Sequence, residues 1–215
     1  MADPIELSLK TEGQVALARL QDRVVEALFN IDLSLVMHGG TAVWRCYGGN
    51  RFSEDIDMYA TDAQVKRLSN ELTWALSKRG VKLEYSKHSN RILEYYDDFA
   101  RSKLEAMLPP KGLAHVQREY TRSDGTRLPI NTLSANGFIM EKIATYQSRR
   151  YVRDLYDIYH LLNNEKLDAK SIKALKSFSK LIERPIDEAK LVDLVYIGVA
   201  PTFETMKASI CGKAD

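Results

Sequence analysis

The chain has 215 residues, 45% of them hydrophobic and 28% charged, with a formal net charge of +2. That length suits one moderately large domain or two small ones with a substantial core. Near-neutral charge means that any basic surface must come from local clustering. Cys46 and Cys211 are the only cysteines; two isolated thiols exclude a disulfide framework and a structural zinc site. The acidic start, Met1 to Glu6, carries no apolar run, and no stretch reaches the roughly 18 apolar residues of a membrane span. A cytoplasmic location without a membrane partner is expected.

In chain order, Thr11 and Gln14 resemble a capping box, and Val15 to Leu28 recur at helical spacing, predicting a helix over 12–30. Leu33 to Met37 reads as a short buried strand that ends at Gly39-Gly40. Thr41 to Arg45 follows as a short helix, and Ile56 to Ala60 as a second strand. Thr61 or Asp62 caps a helix that stops near Gly80. Three strand-like runs, Val81 to Tyr85, Arg91 to Tyr95 and Lys103 to Met107, precede Pro109-Pro110. A hairpin is predicted over His115 to Thr132, turning at Ser123-Asp124-Gly125. From Ser134 onward helical periodicity dominates, with helices over 134–148, 151–163, 168–180 and 187–197. Strands followed by helices argue for an α+β architecture with a mixed sheet. The expected division is an α/β portion, 1–133, against which a helical portion, 134–215, packs closely.

The segment from His38 to Asp57 carries the chemistry. Glycines at a strand end let a phosphate approach the backbone, and a helix N-terminus offers unpaired N–H groups and a positive dipole end. Asp55 and Asp57, two apart on the next predicted strand, point to one face. Two adjacent carboxylates repel unless a cation lies between them, and oxygen ligands of high charge suit Mg²⁺, with Mn²⁺ as a substitute. Metals held this way activate an attacking hydroxyl and stabilise departing pyrophosphate. Arg51 and Ser53 are candidates to contact a triphosphate. Alone, an Asp-x-Asp pair is a solvated edge and a Gly-Gly pair a turn; their order on these elements favours function.

Gly39-Gly40-Thr41-Ala42 followed by Arg51-x-Ser53-x-Asp55-Ile56-Asp57 resembles the first motif of the AbiEii/AbiGii toxin family of nucleotidyltransferases. Glu141-Lys142-Ile143-Ala144 resembles that family's helix with an essential lysine, and Arg153-Asp154-Leu155-Tyr156-Asp157 to Leu161 its later Arg-Asp motif. The resemblance spans about residues 30–165. It implies a polymerase-β-like nucleotidyltransferase core, shared with the antibiotic nucleotidyltransferases, followed by a helical bundle. It implies transfer of NMP from an NTP, a tRNA 3′ end as acceptor, and a cognate antitoxin partner. Lys142 would contact phosphates and Asp157 would be needed for activity. Relatives silenced by phosphorylation point to Ser53. A protein or small-molecule acceptor, or a non-catalytic nucleotide-binding module, are the alternative readings.

Read alone, Lys142, Tyr146, Arg149, Arg153 and Asp157 recur every three or four residues and share a face if one helical register persists. Facing the Asp55/Asp57 cleft, that stripe would neutralise a triphosphate; otherwise it is a salt-bridged surface. The metal set is therefore Asp55 and Asp57 with Glu105 as third carboxylate, Glu84 being second choice. The nucleotide set is Gly39, Gly40, Thr41, Arg51, Ser53, Lys142 and Arg153. His38 is expected to be structural, His88, His115 and His160 show no ligand spacing, and Trp44 and Trp74 are expected in the core. Arg118, Arg122 and Arg127 in the hairpin are solvated or meet RNA.

Overall fold

The structure, a computed structural model, describes residues 4–85, 89 and 91–214. After a short 3₁₀ turn, Ile5–Leu7, helix α1 spans Glu12–Ile31 and is capped by Thr11, whose hydroxyl accepts from the Gln14 amide. The reciprocal half of the expected capping box differs: the Gln14 side chain accepts from the Lys10 amide. Then come β1 (Val36–His38), α2 (Gly39–Cys46), β2 (Ile56–Tyr59) and α3 (Asp62–Ser77), the last closed at its start by a full Thr61–Gln64 capping box. Strands β3 (Lys82–Tyr85), β4 (Ile92–Tyr96), β5 (Arg101–Met107), β6 (His115–Thr121) and β7 (Arg127–Leu133) complete the sheet. Its helices then follow: α4 (Ala135–Arg149), α5 (Val152–Asn164), α6 (Ala169–Ser179), α7 (Leu191–Leu194) and α8 (Phe203–Ala214).

Among the described residues the sheet has seven strands, ordered β3-β4-β5-β2-β1-β7-β6. It is mixed. β2 runs parallel to β5, β1 runs parallel to β7, and the remaining pairs are antiparallel. One hydrophobic cluster extends from Leu20 through the sheet to Phe203, Met206 and Ile210, so α4, α5, α6 and α8 pack into the same interior as the strands. This is the expected α+β class, with the helical part after the sheet. Among the described residues, no helix is long and apolar enough to cross a membrane.

Three expectations about elements differ. The predicted helix over 187–197 is a 3₁₀ turn, Glu188–Lys190, and the single turn α7. Val195 is drawn out of helical geometry by an antiparallel bridge to Arg51; the Phe52 amide donates to the Leu194 carbonyl at 2.8 Å and the Tyr196 amide to that of Asn50 at 3.0 Å. Helix α8 was not foreseen as a separate element. Trp74, expected in the core, is 64% exposed, with the Lys78 ammonium 3.5 Å from its ring centre. Trp44 is buried, as expected.

Candidate active site

Strand register assembles the site. Antiparallel pairing sets His38 opposite Asp57, and parallel pairing sets Asp57 opposite Glu105. Residues directly opposite one another share a face, so His38, Asp57 and Glu105 form one row across β1, β2 and β5. Asp55 stands one residue before β2, and its charge acts on Asp57. It is placed through its carbonyl, which accepts the Thr41 hydroxyl. Gln21, buried in α1, donates to the carbonyls of Ser53 and Glu54, and Ser102 also donates to Glu54. This loop is thus anchored from α1, α2 and β5.

The two glycines work differently from an open phosphate cradle. Gly39 has φ +71°, and a Cβ there would lie 2.0 Å from Asp57 Oδ2. A Cβ on Gly40 would lie 2.4 Å from Arg51 Nη2 and 2.6 Å from Ser53 Oγ. The space that glycine leaves is filled by the chain's own polar groups. Thr41 is fully buried and its hydroxyl is spent on Asp55, which makes it a positioning residue.

The cations form a cluster, not a stripe. Arg150 takes φ +50° and ends α4, so the single helical register that would align Arg153 with Lys142 is interrupted. Arg51 donates to Asp157 through two nitrogens, at 2.6 and 2.7 Å. Lys142 lies 2.8 Å from Asp157 and 3.3 Å from Asp154, and Arg149 reaches Asp154 at 2.8 and 3.0 Å. Asp154 and Asp157 are fully buried. Burial opposes ionisation of Asp157, yet Arg51 and Lys142 outweigh it and hold its carboxyl below the usual range. Three cations against two carboxylates leave one positive charge beside Asp57. Arg149, its side chain 38% exposed, is the most accessible of the three. Arg153 does not join; it lies against the Tyr151 ring at 5.6 Å.

Asp57 is in the opposite situation. Burial pushes its carboxyl up, with Glu105 and Asp55 adding to the rise, while His38 and Lys142 oppose it. Among the described residues the side chains of Asp55, Asp57 and Glu105 make no ion pair or hydrogen bond within the protein. Three neighbouring unpaired carboxylates fit a hard divalent cation, since all the donors are oxygen. They are not a ready-made cage: among the described residues no group of three or more metal-ligating side chains is assembled. Glu84 lies on β3, two strands beyond β5, and bonds Tyr96 instead.

His38 is held by stacking and by a hydrogen bond. Its ring stacks on Tyr59 at 3.9 Å, and its Nδ1 lies 3.1 Å from Glu141, which also accepts from the Tyr59 hydroxyl at 2.9 Å. Its Nε2 is buried and has no hydrogen-bond partner among the described residues. Glu141 stands in the motif that opens with it, but its meeting with Tyr59 was not legible in sequence, because 82 residues separate the two. His115 lies on β6, His160 bonds the Tyr47 carbonyl, and His88 lies outside the described residues. Arg118 and Arg122 are paired with Glu165 and Glu26. A separate groove between α1 and the β4–β5 turn, lined by Lys10, Val15, Arg23 and Phe99, contains none of the site groups.

Comparison with known proteins gives the fold's relatives and the family. The chain superposes on JHP933 from Helicobacter pylori with a TM-score of 0.61 at 19% identity, covering 95% of this chain and 91% of that one. A second H. pylori structure, described as a nucleotidyltransferase, gives 0.60 at 18%, covering 95% and 94%. At such identities the likeness speaks to the fold alone. No curated protein matches the sequence. The sequence model of the nucleotidyl transferase AbiEii toxin family, of type IV toxin–antitoxin systems, matches residues 23–202. The chain therefore belongs to the AbiEii toxin family and is a nucleotidyltransferase.

Proposed function

We propose that the enzyme transfers NMP from an NTP to a hydroxyl at the 3′ end of tRNA, in the cytoplasm, and that a cognate antitoxin restrains it. The observation that carries the reading is the row of unpaired carboxylates beside a buried cationic cluster. In it, residues 1–133 supply Asp55, Asp57 and Glu105, which would hold Mg²⁺ or Mn²⁺, and residues 134–215 supply Lys142 and Arg149 toward the triphosphate. A bound divalent cation polarises phosphoryl oxygens and stabilises the leaving pyrophosphate. Asp157 and Asp154 hold Lys142 in place, Arg51 fixes Asp157 in turn, and the Gly39-Gly40 turn keeps Asp57 and Ser53 close to the first turn of α2. The acceptor oxygen attacks the α-phosphorus and gives up its proton to solvent, the α–β anhydride bond breaks, and pyrophosphate departs.

The test uses α-labelled NTPs with total tRNA and, separately, total protein, with Mg²⁺ or with chelator. Label should enter tRNA, need the cation, and fall by at least about 1,000-fold in Asp57→Ala, the scale expected when preorganised electrostatics are removed. Label entering protein alone would overturn the acceptor, and undiminished transfer by Asp57→Ala would overturn the assignment of the site.

A further inference from the structure

We propose that the solvent face of α6 is a docking surface for the phosphate backbone of a nucleic acid, and this rests on the RNA acceptor read above. Between Lys166 and Lys180 the chain carries five lysines and one acidic residue, Asp168, a net +4 in a protein whose total is +2. The remainder of the molecule is therefore at −2, and the excess positive charge is concentrated here. Lys166, Lys170, Lys173, Lys176 and Lys180 are all exposed, and none is in an ion pair among the described residues. Asp168 is spent on the helix cap, accepting from the Ser171 amide.

The arrangement is directional. Ser171, Leu175 and Phe178 are the buried residues of α6. At about 100° per residue, Lys173 and Lys180 point directly away from them and Lys176 lies on the flank of the same face, roughly 130° round. From Lys170 to Lys180 the lysines cover about 15 Å of helix. Successive lysines stand three or four apart, where like charges destabilise a helix, and α6 holds no acidic residue to offset them. A polyanion relieves that repulsion. The face offers no aromatic side chain among the described residues, and lysine is depleted from protein–protein interfaces, whose affinity rests on aromatic and arginine anchors. Those features favour a nucleic-acid backbone over an acidic protein.

The track also leads to the chemistry. Helix α6 runs alongside α4 in the same direction: the Asp168 amide donates to Asn136 at 2.9 Å near both starts, and the Phe178 ring meets Tyr146 at 5.7 Å near both ends. Lys176 and Lys180 thus lie toward the end of α4 that carries Arg149, the guanidinium paired with Asp154 in the cationic cluster. A duplex stem laid on α6 would direct its end toward the carboxylate row.

The experiment compares the full chain with Lys173→Glu/Lys176→Glu/Lys180→Glu, with the milder triple change to Gln, and with Lys66→Glu/Lys78→Glu/Lys111→Glu as a control of equal charge. Anisotropy of fluorescent tRNA is followed between about 50 and 200 mM salt, where each lost phosphate contact lowers the salt slope by roughly 0.7–0.9. We expect at least tenfold weaker tRNA binding at low salt, a slope flatter by about two to three, an intermediate effect for Gln, little change in the control, and unchanged NTP binding. Unchanged affinity and slope in both α6 variants would overturn the docking surface, as would loss of an acidic protein partner with RNA binding intact. Failure of the parent protein to label tRNA would instead overturn the acceptor reading, so the two outcomes are distinct.

Discussion

At the scale of single residues, the site is built from unequal treatment of its carboxylates. Asp157 is fully buried with two cations, whereas Asp57 is half-buried with none in direct contact, and each predicts a different response. Asp157→Asn leaves Arg51 and Lys142 short of a counter-charge in the interior, which costs about 3–5 kcal/mol. Its pH signature has a fixed sign. The folded carboxyl lies below its ordinary value of 3.8, so its contribution is present above that value and is lost as pH falls through the lower, folded one. Urea midpoints measured from pH 7 down to pH 2.5 should show a shallower acid loss in Asp157→Asn than in the parent; parallel curves would refute the assignment. Asp57→Asn removes a charge whose burial is unfavourable. In chelator it should melt at or above the parent temperature while losing transfer, and added Mg²⁺ should raise the melting temperature of the parent alone. Gly39→Ala combines a positive φ, costing about 1–2 kcal/mol, with a methyl group driven into the Asp57 carboxylate. Since a displacement of about 1 Å can cost roughly 100-fold in rate, single-turnover transfer should fall at least that far while the protein remains folded.

At the scale of elements, what was legible in sequence is what is local. Helices α4, α5 and α6 and the β6–β7 hairpin follow from periodicity, caps and the Asp124-Gly125 turn, and their bounds differ from expectation by a residue or two. The carboxylate row was half legible: Asp57 stands out beside the glycines, but Glu105 gains meaning only from the parallel register of β2 and β5. The stripe from Lys142 to Asp157 depended on one register persisting across two predicted helices, and Arg153 falls outside the cluster because that register breaks at the α4–α5 junction. Nothing in a non-glycine residue announces the left-handed turn at Arg150. Tertiary contacts hold it there, through the Ile186 amide donating to the Arg150 carbonyl at 3.0 Å and the ion pair with Glu183. This junction sets how α5 presents Asp154 and Asp157 to Lys142. Arg150→Ile, β-branched at φ +50°, should cost about 1–2 kcal/mol and reduce transfer. Arg150→Gly fits the same turn, exchanges an exposed ion pair worth about 0–1 kcal/mol for relief of strain, and should match the parent in melting temperature and rate. Equal behaviour of the two variants would show that the turn does not position the cluster.

At the scale of the whole molecule, the site depends on a helix that touches none of its groups. Helix α8 packs on α5 and α6, and Phe203, Met206 and Ile210 are buried in the common core. It escaped sequence reading because its apolar positions are few and become informative only against the helices they meet. Burying each of those side chains contributes about 1.5–3 kcal/mol, so the three together approach the 5–15 kcal/mol that typically holds a domain folded. That packing is shared between α6 and α5, the helix that carries Asp154 and Asp157. Met206→Ala should therefore cost about 2–5 kcal/mol from lost transfer energy and residual cavity, read as a lower urea midpoint at unchanged slope. If α5 is held by this packing, amide exchange in Val152–Asn164 should speed up more than exchange in β1, β2 and β5, and transfer should lose its cation-cluster contribution before the sheet unfolds. Uniform acceleration across the molecule would mean instead that sheet and helices open as one cooperative unit, with α8 contributing to all of it equally.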